Sequence, residues 1–282
     1  MTTVALATFL MGVVVSAAIT QGVPARLDDY RLGEDPSGQW HLGTRLREIS
    51  GLAMTRDGRL LGHNDEHAII YEIDQASGTL RKGWAFGTPT VSGDFEGITV
   101  VDDMVYLVTG TGRLYEGAEG NDGDRVPFNM YDTGVGSRCE VEGLSYDAET
   151  RMLLLPCKTP HEKDLEDFVT VFQWSLDARS TPADVRMRLP IEEVERRLGQ
   201  RRFRPSGIAV HPVTGSFFVL ASQGGAAIIE VSAQGQLLGA VELDGNRHGQ
   251  PEGIAITPDR RLWIADEGGR GRGRLSQYRP IR

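Results

Sequence analysis

From about residue 48 onward the chain alternates apolar and polar residues in short runs, and Gly, Asp and Asn cut the runs before a helical period can build. Runs of roughly 4–8 residues with a period of two read as half-buried strands. The first clear group is SGLAMT and RLLGHND on either side of Arg56-Asp57-Gly58, where Asp-Gly is a hairpin signal. HAIIYEID and TLRKGWAF follow, separated by Gln75 to Gly78, which makes four strands.

The group recurs. EISGLAM from Glu48, GDFEGITVV from Gly93, EVEGLSY from Glu140, RPSGIAV from Arg204 and QPEGIAI from Gln250 each set Ser-Gly or Glu-Gly at the mouth of an apolar strand. The residues before the glycines are Ser50, Glu96, Glu142, Ser206 and Glu252, spaced 46, 46, 64 and 46 apart. Four strands at such a period describe a propeller blade. The pattern therefore predicts an all-β, five-bladed β-propeller over residues 26–282. The last copy is short: after RLWIADE only RLSQYR reads as a strand. A strand from LDDYRLGE, around Asp29 to Gly33, is expected to complete that blade and remove the open edge. The 64-residue spacing holds an insertion, PIEEVERRLGQRRFRP from Pro190, which starts as a short amphipathic helix with Pro first and acids in its first turn.

Residues 1–25 carry no charged side chain, and an apolar stretch runs from Val4 to Ile19. An N-terminal hydrophobic helix is expected there. Two readings stay open, a retained transmembrane anchor and a signal peptide cut near Val15-Ser16-Ala17 that leaves a soluble periplasmic protein. Either places the propeller in a periplasmic or extracytoplasmic compartment. The two cysteines fit that location. A hairpin turning at Asp147 to Thr150 pairs positions whose numbers sum to about 297, and 139 plus 157 is 296. Cys139 and Cys157 are thus expected to form a disulfide, with two buried free thiols as the alternative.

Composition narrows the partners. With 30 basic against 39 acidic side chains the net charge is -9, which argues against nucleic acid. Dinucleotide, Walker and Cys/His zinc patterns are absent, as is the serine-hydrolase elbow.

In a propeller the first strand of each blade is innermost. Glu96, Glu142 and Glu252 are then expected around the channel mouth, with Ser50 and Ser206 completing the circle. Asn64, Asp65, Asp266 and Glu267, at the ends of second strands, return to the same rim. Carboxylates facing one narrow opening raise one another's pKa unless something compensates. Calcium, which takes 6–8 oxygen ligands in flexible geometry, answers that need. The expected ligands are Glu96, Glu142, Glu252, Asp65, Asp266 and Glu267. Alternatively each glutamate accepts backbone hydrogen bonds from the next blade and staples the ring. Of the six histidines only His63 and His248 are placed to approach the rim as bases, while His211 reads as a turn residue. Arg196, Arg197, Arg201, Arg202 and Arg204 form a basic cluster suited to anionic lipid headgroups or an acidic protein surface. A solvated helix face is the plainer alternative.

EISGLAM, DFEGITV, EVEGLSY, PSGIAVHP and QPEGIAI with LWIADE together resemble the SdiA-regulated family of exported bacterial β-propellers. They are more distantly similar to the calcium-containing gluconolactonase, strictosidine-synthase and phytase-like groups. The resemblance runs from about Asp28 to the end. It implies calcium at or near the axis and no established reaction, with Glu142 and Glu252 at the Glu-Gly positions and Glu96 at the acidic position of the second blade. The uncharged N-terminal region departs from an ordinary export signal. The expected function is a non-enzymatic calcium-binding propeller, a scaffold or structural subunit with a protein partner at or in the membrane and no small-molecule substrate. The alternative is a calcium-dependent hydrolase of small esters, lactones or phosphoesters.

Overall fold

The computed structural model describes residues 26–179, 182–199 and 202–281. Five sheets form a ring of blades, antiparallel except where the short strand Arg125–Val126 adds in parallel to the outer edge of the first. From the axis outward, blade 1 is Ile49–Met54, Leu60–Asn64, Ile69–Ile73 and Leu80–Phe86. Blade 2 is Phe95–Val101, Met104–Thr109, Arg113–Ala118 and Phe128–Asp132. The innermost strand of blade 3 is broken into Cys139–Val141 and Ser145–Asp147; Met152–Pro160, Phe168–Ser175 and Asp184–Pro190 follow. Blade 4 is Arg204–Val210, Phe217–Gln223, Ala227–Val231 and Leu237–Glu242. Pro251–Ile256, Leu262–Asp266 and Arg274–Tyr278 begin blade 5.

A strand from the N-terminal side does close blade 5, but it is Gly38–His41, paired with Arg274–Tyr278. The expected segment is instead a 3-10 turn, Leu27–Tyr30, with the chain reversing at Arg31 in the left-handed region. The reason is local. The Asp29 carboxylate accepts from the Arg26 N–H, and the Leu27 N–H donates to Glu230 of blade 4 at 2.9 Å. Leu27, Tyr30 and Leu32 are thereby buried between blades 4 and 5, among Phe218, Leu220, Ile264 and Tyr278. Alternation of exposure selects Gly38–His41 as the outer strand, and Trp40 stacks on Trp263 at 5.7 Å between ring centroids.

Apolar side chains fill the gaps between neighbouring blades. Between blades 1 and 2, for example, Leu61, Ile70, Trp84, Phe86, Phe95 and Leu107 pack together. The insertion helix is Ile191–Leu198, with Pro190 one position earlier than expected, at its N-cap. It buries Val194 and Leu198 against Met187, Leu189 and Phe203. This is the one α-helix among the described residues, and none there is long and apolar enough to cross a membrane. The expected N-terminal hydrophobic helix falls on residues 1–25, outside the described residues.

The disulfide forms, with the Cα atoms of Cys139 and Cys157 5.7 Å apart. The register differs by about two from the expected one: Cys139 faces Pro160 and Cys157 faces Val141, so the bond runs diagonally across the hairpin beside an irregularity at Glu140/Val141.

Candidate functional site

The innermost strands share one device. The pairing register shifts between Ile49 and Gly51, Phe95 and Gly97, Pro205 and Gly207, and Pro251 and Gly253. The residue skipped each time is the anchor: Ser50, Glu96, Ser206 or Glu252. In blade 3 the strand itself breaks around Glu142. A bulge leaves its extra residue out of the ladder and re-aims its side chain. That local step is why an acidic or hydroxyl side chain can stand at the mouth of an otherwise buried strand.

The glycine after each anchor has a different task. A Cβ on Gly97 would lie 2.5 Å from the Gly143 backbone, one on Gly207 2.7 Å from the Glu252 carbonyl oxygen, and one on Gly253 2.8 Å from Leu52. At Gly97, Gly143 and Gly207 the neighbouring inner strands therefore touch backbone to backbone, an approach open only to glycine. About 10 Å³ is left on the axis there, at most one water. Leu52, Ile98, Leu144, Ile208 and Ile254 form an aliphatic ring immediately inside. The axis is narrow at this level, with Ser50 and Glu252 beside it.

Charge is concentrated around the anchors. Glu142 and Glu252 are buried and Glu96 is partly so. Burial first, then the charge of Glu142, pushes Glu96 up to about 10. Burial and the neighbouring Glu267 push Glu252 up to about 9. Burial raises Glu142 as well, but Lys158 opposes it and holds the group at about 7. The Lys158 ammonium is paired with Glu142 Oε1, and both side chains are largely buried. The Gln250 amide donates to Glu252 and to Glu267, tying the two carboxylates together. Asp65 and Glu267 are also raised by burial, and the charge of Asp65 acts on Glu267. Glu96, Glu142, Glu252, Glu267 and Asp65 are thus linked by charge, Asp65 acting on Glu267, Glu267 on Glu252, and Glu142 on both Glu252 and Glu96.

Other expected residues go elsewhere. Asp266 accepts from His248 Nδ1 at 2.8 Å, and His248 Nε2 lies 2.7 Å from the Tyr278 hydroxyl, so these three make a buried chain inside blade 5. His63 is fully buried, its Nδ1 donating to the Asn64 carbonyl oxygen at 2.8 Å and its Nε2 without a partner against Gly51. Burial lowers its pKa to about 4. Neither histidine reaches the rim, because each is packed within its blade. His211 is a turn residue, as expected: Nδ1 accepts the N–H groups of Val213 and Thr214. Ser206 donates to the Pro251 carbonyl at 2.7 Å, a staple between blades 4 and 5. The arginines of the basic cluster differ in exposure. Arg196 and Arg197 are exposed on the last helical turn, Arg202 is exposed on the loop after it, Arg204 is partly buried, and Arg201 lies outside the described residues.

Lys158 is the residue that sequence reasoning passed over. It lies two residues before the end of the second strand of blade 3, whereas Asp65 and Glu267 directly follow theirs, and as a cation it falls outside the oxygen donors that a calcium rim calls for. Asp94 was also missed, and its charge contributes to raising Glu96 and Glu142.

No family model matches the chain, so membership of the SdiA-regulated family is not supported, and no curated protein matches it. Solved structures do. A glutaminyl cyclase from Myxococcus xanthus aligns with TM-score 0.56 at 12% identity, over 86% of this chain and 94% of that one. The PQQ-bound aldose sugar dehydrogenase of Streptomyces coelicolor gives 0.52 at 15%, over 86% and 100%. A gluconolactonase from Xanthomonas campestris gives 0.50 at 13%, over 82% and 72%. At such identities the likeness is one of propeller fold.

Proposed function

We propose that the acidic face is a calcium-binding site that carries acid–base chemistry on a small molecule, the hydrolysis of an ester, lactone or phosphoester. One observation carries this: Glu96, Glu142 and Glu252 occupy equivalent anchor positions on three inner strands, all raised first by burial and then by nearby carboxylates, with the Lys158 ammonium paired to Glu142. Perturbed carboxylates gathered at an opening are a mark of a working site.

Among the described residues no three His, Cys, Asp or Glu side chains are placed ready to hold a metal ion. The donor set nevertheless fits calcium in kind. Its members are hard oxygens, and Asn64 Oδ1 and Asp65 Oδ1 are buried without any hydrogen-bond partner. Asn64, Asp65, Glu96, Glu252 and Glu267 would hold the ion, while Glu142 is engaged by Lys158. When bound, calcium supplies Lewis-acid polarisation of a substrate oxygen. Glu142, poised near neutrality, takes a proton from water as the water oxygen bonds to the acyl or phosphoryl centre. It then gives that proton to the leaving oxygen, which restores the carboxylate. Lys158 keeps Glu142 in place and stabilises its ionised form. The Cys139–Cys157 disulfide supports an extracytoplasmic site of action.

A titration of EGTA-stripped protein with calcium, followed by assays on p-nitrophenyl acetate, a δ-lactone and p-nitrophenyl phosphate, tests the reading. Glu142→Gln should keep the calcium heat and lose turnover. Neither calcium heat nor turnover in the wild type would overturn it. Calcium heat without turnover on any substrate would leave the scaffold reading, which Arg196 and Arg197 favour as exposed cations with no carboxylate partner among the described residues.

A further inference from the structure

Between blades 3 and 4, against the insertion helix, lies a cavity of about 320 Å³. Its wall includes Lys158, Phe168, Ile191, Arg202, Phe203 and Arg204. Arg204 stands two residues before Ser206 on the innermost strand of blade 4, and its Nη1 donates to the Lys158 carbonyl and to Thr159 Oγ1, both at 3.3 Å. Both acceptors are neutral, and no carboxylate pairs with Arg204 or with the Arg202 side chain among the described residues. Glu195 also lines the space, but its Oε1 is occupied by the Arg202 backbone N–H at 2.6 Å. Glu166 is exposed at the edge.

We infer that this cavity anchors the ligand of the acidic face, and that the ligand is a small organic oxyanion: a carboxylate or monophosphate joined to an apolar body about the size of a phenyl ring. A guanidinium taken partly out of water and given only neutral acceptors has unmet demand for an anion, and its planar fork matches two oxygens of a carboxylate or phosphate. Phe168, Phe203 and Ile191 supply the apolar wall. The volume is at the lower end of the range for small-ligand sites, roughly 300–1,000 Å³. Lys158 belongs both to this wall and to the ion pair with Glu142, so a ligand anchored on Arg204 directs its other end toward the acidic face. The direction of that reactive end rests on the function proposed above; the anion pocket does not.

Isothermal titration of the full chain with phenylacetate and with phenyl phosphate, in EGTA, tests the pocket separately from the metal. Both probes are expected to bind, while benzyl alcohol and benzylamine do not bind at about 1 mM, a concentration that detects weak small-ligand sites. Arg204→Met should weaken binding at least tenfold, and Arg202→Met and Phe168→Ala severalfold each. Arg196→Met should leave it unchanged. Arg202 is exposed, so its variant keeps the test open if Arg204→Met fails to fold. A preference for phenylacetate assigns a carboxylate ligand, and a preference for phenyl phosphate assigns a monophosphate. Inorganic phosphate binding as tightly as phenyl phosphate would overturn the apolar half of the inference. Absence of binding, or equal binding by the Arg202 and Phe168 variants, would overturn it altogether. Probe binding in a protein that takes no calcium would sink the calcium-dependent reaction and leave the pocket standing. Calcium binding and turnover without probe binding would do the reverse.

Discussion

The sharpest consequence of the acidic mouth is the effect of pH on stability in the absence of calcium. Burial, and after it the charge of nearby carboxylates, makes Glu96, Glu142 and Glu252 hold their protons in the folded protein at pH values where the unfolded chain has lost them. A carboxylate with a raised folded pKa stabilises fully below its unfolded pKa, and that contribution is lost as pH rises toward the folded value. Glu142 releases its proton around pH 7 and Glu252 around pH 9. Between those values the folded state holds two protons more than the unfolded state, on Glu96 and Glu252. Two protons at about 1.36 kcal/mol each give a slope of about -2.7 kcal/mol per pH unit. Glu96 is only partly buried, and each shift owes part of its size to the neighbour's charge, so we take about -1 kcal/mol per unit. For a protein of this size that is about 2 °C of melting temperature per pH unit. Melting curves by circular dichroism from pH 6 to pH 9 in EGTA should show this decline. Millimolar calcium should flatten it, since the ion binds the ionised carboxylates of the native state only. A melting temperature that stays level from pH 6 to pH 9 in EGTA, and is untouched by calcium, would refute the reasoning.

Glu116 gives the opposite limb. It is buried, at a cost that hydrogen bonds from Tyr106, Arg179, Tyr131 and Asn129 overcome, so that its pKa falls to about 2. Its contribution is present above about pH 4.5 and lost as pH falls toward 2; Glu116→Gln should cost about 2–3 kcal/mol in urea titrations at pH 7 and flatten the acid limb. Gly97→Ala should cost about 1–3 kcal/mol, because the added Cβ meets the Gly143 backbone at 2.5 Å, whereas Gly43→Ala, with open space around it, should be nearly silent in the same melts. Breaking the disulfide by Cys139→Ser with Cys157→Ser should cost about 3 kcal/mol, read from the urea midpoint. Because that bond joins the strands leading to Glu142 and to Lys158, the double variant should also weaken calcium binding.

The repeat decided most of the architecture. Five Ser-Gly or Glu-Gly anchors with four strands per unit require five blades, because identical short sheets can bury their faces only against one another. Turn chemistry placed the strands, and the hairpin turn brought Cys139 near Cys157. Each of these signals is local, so one sequence carries it. The anchors were legible as a ring for the same reason: position within a repeat fixes position around an axis.

Other features belong to tertiary structure alone. LDDYRLGE and the Gly38–His41 segment both lie before blade 1; what separated them was the space between blades 4 and 5, which takes Leu27 and Tyr30 and leaves Trp40 to meet Trp263. His63 and His248 could be assigned to the rim by their positions in the chain, yet packing inside their blades turned both away. The ionisation of Glu142 depends on an ammonium sixteen residues later, brought against it by the hairpin and held there where water is scarce. Sequence pattern reports which residues share a face. Which of them touch, and in how much water, is settled only when distant segments close around them, and that is what sets the charge of this site.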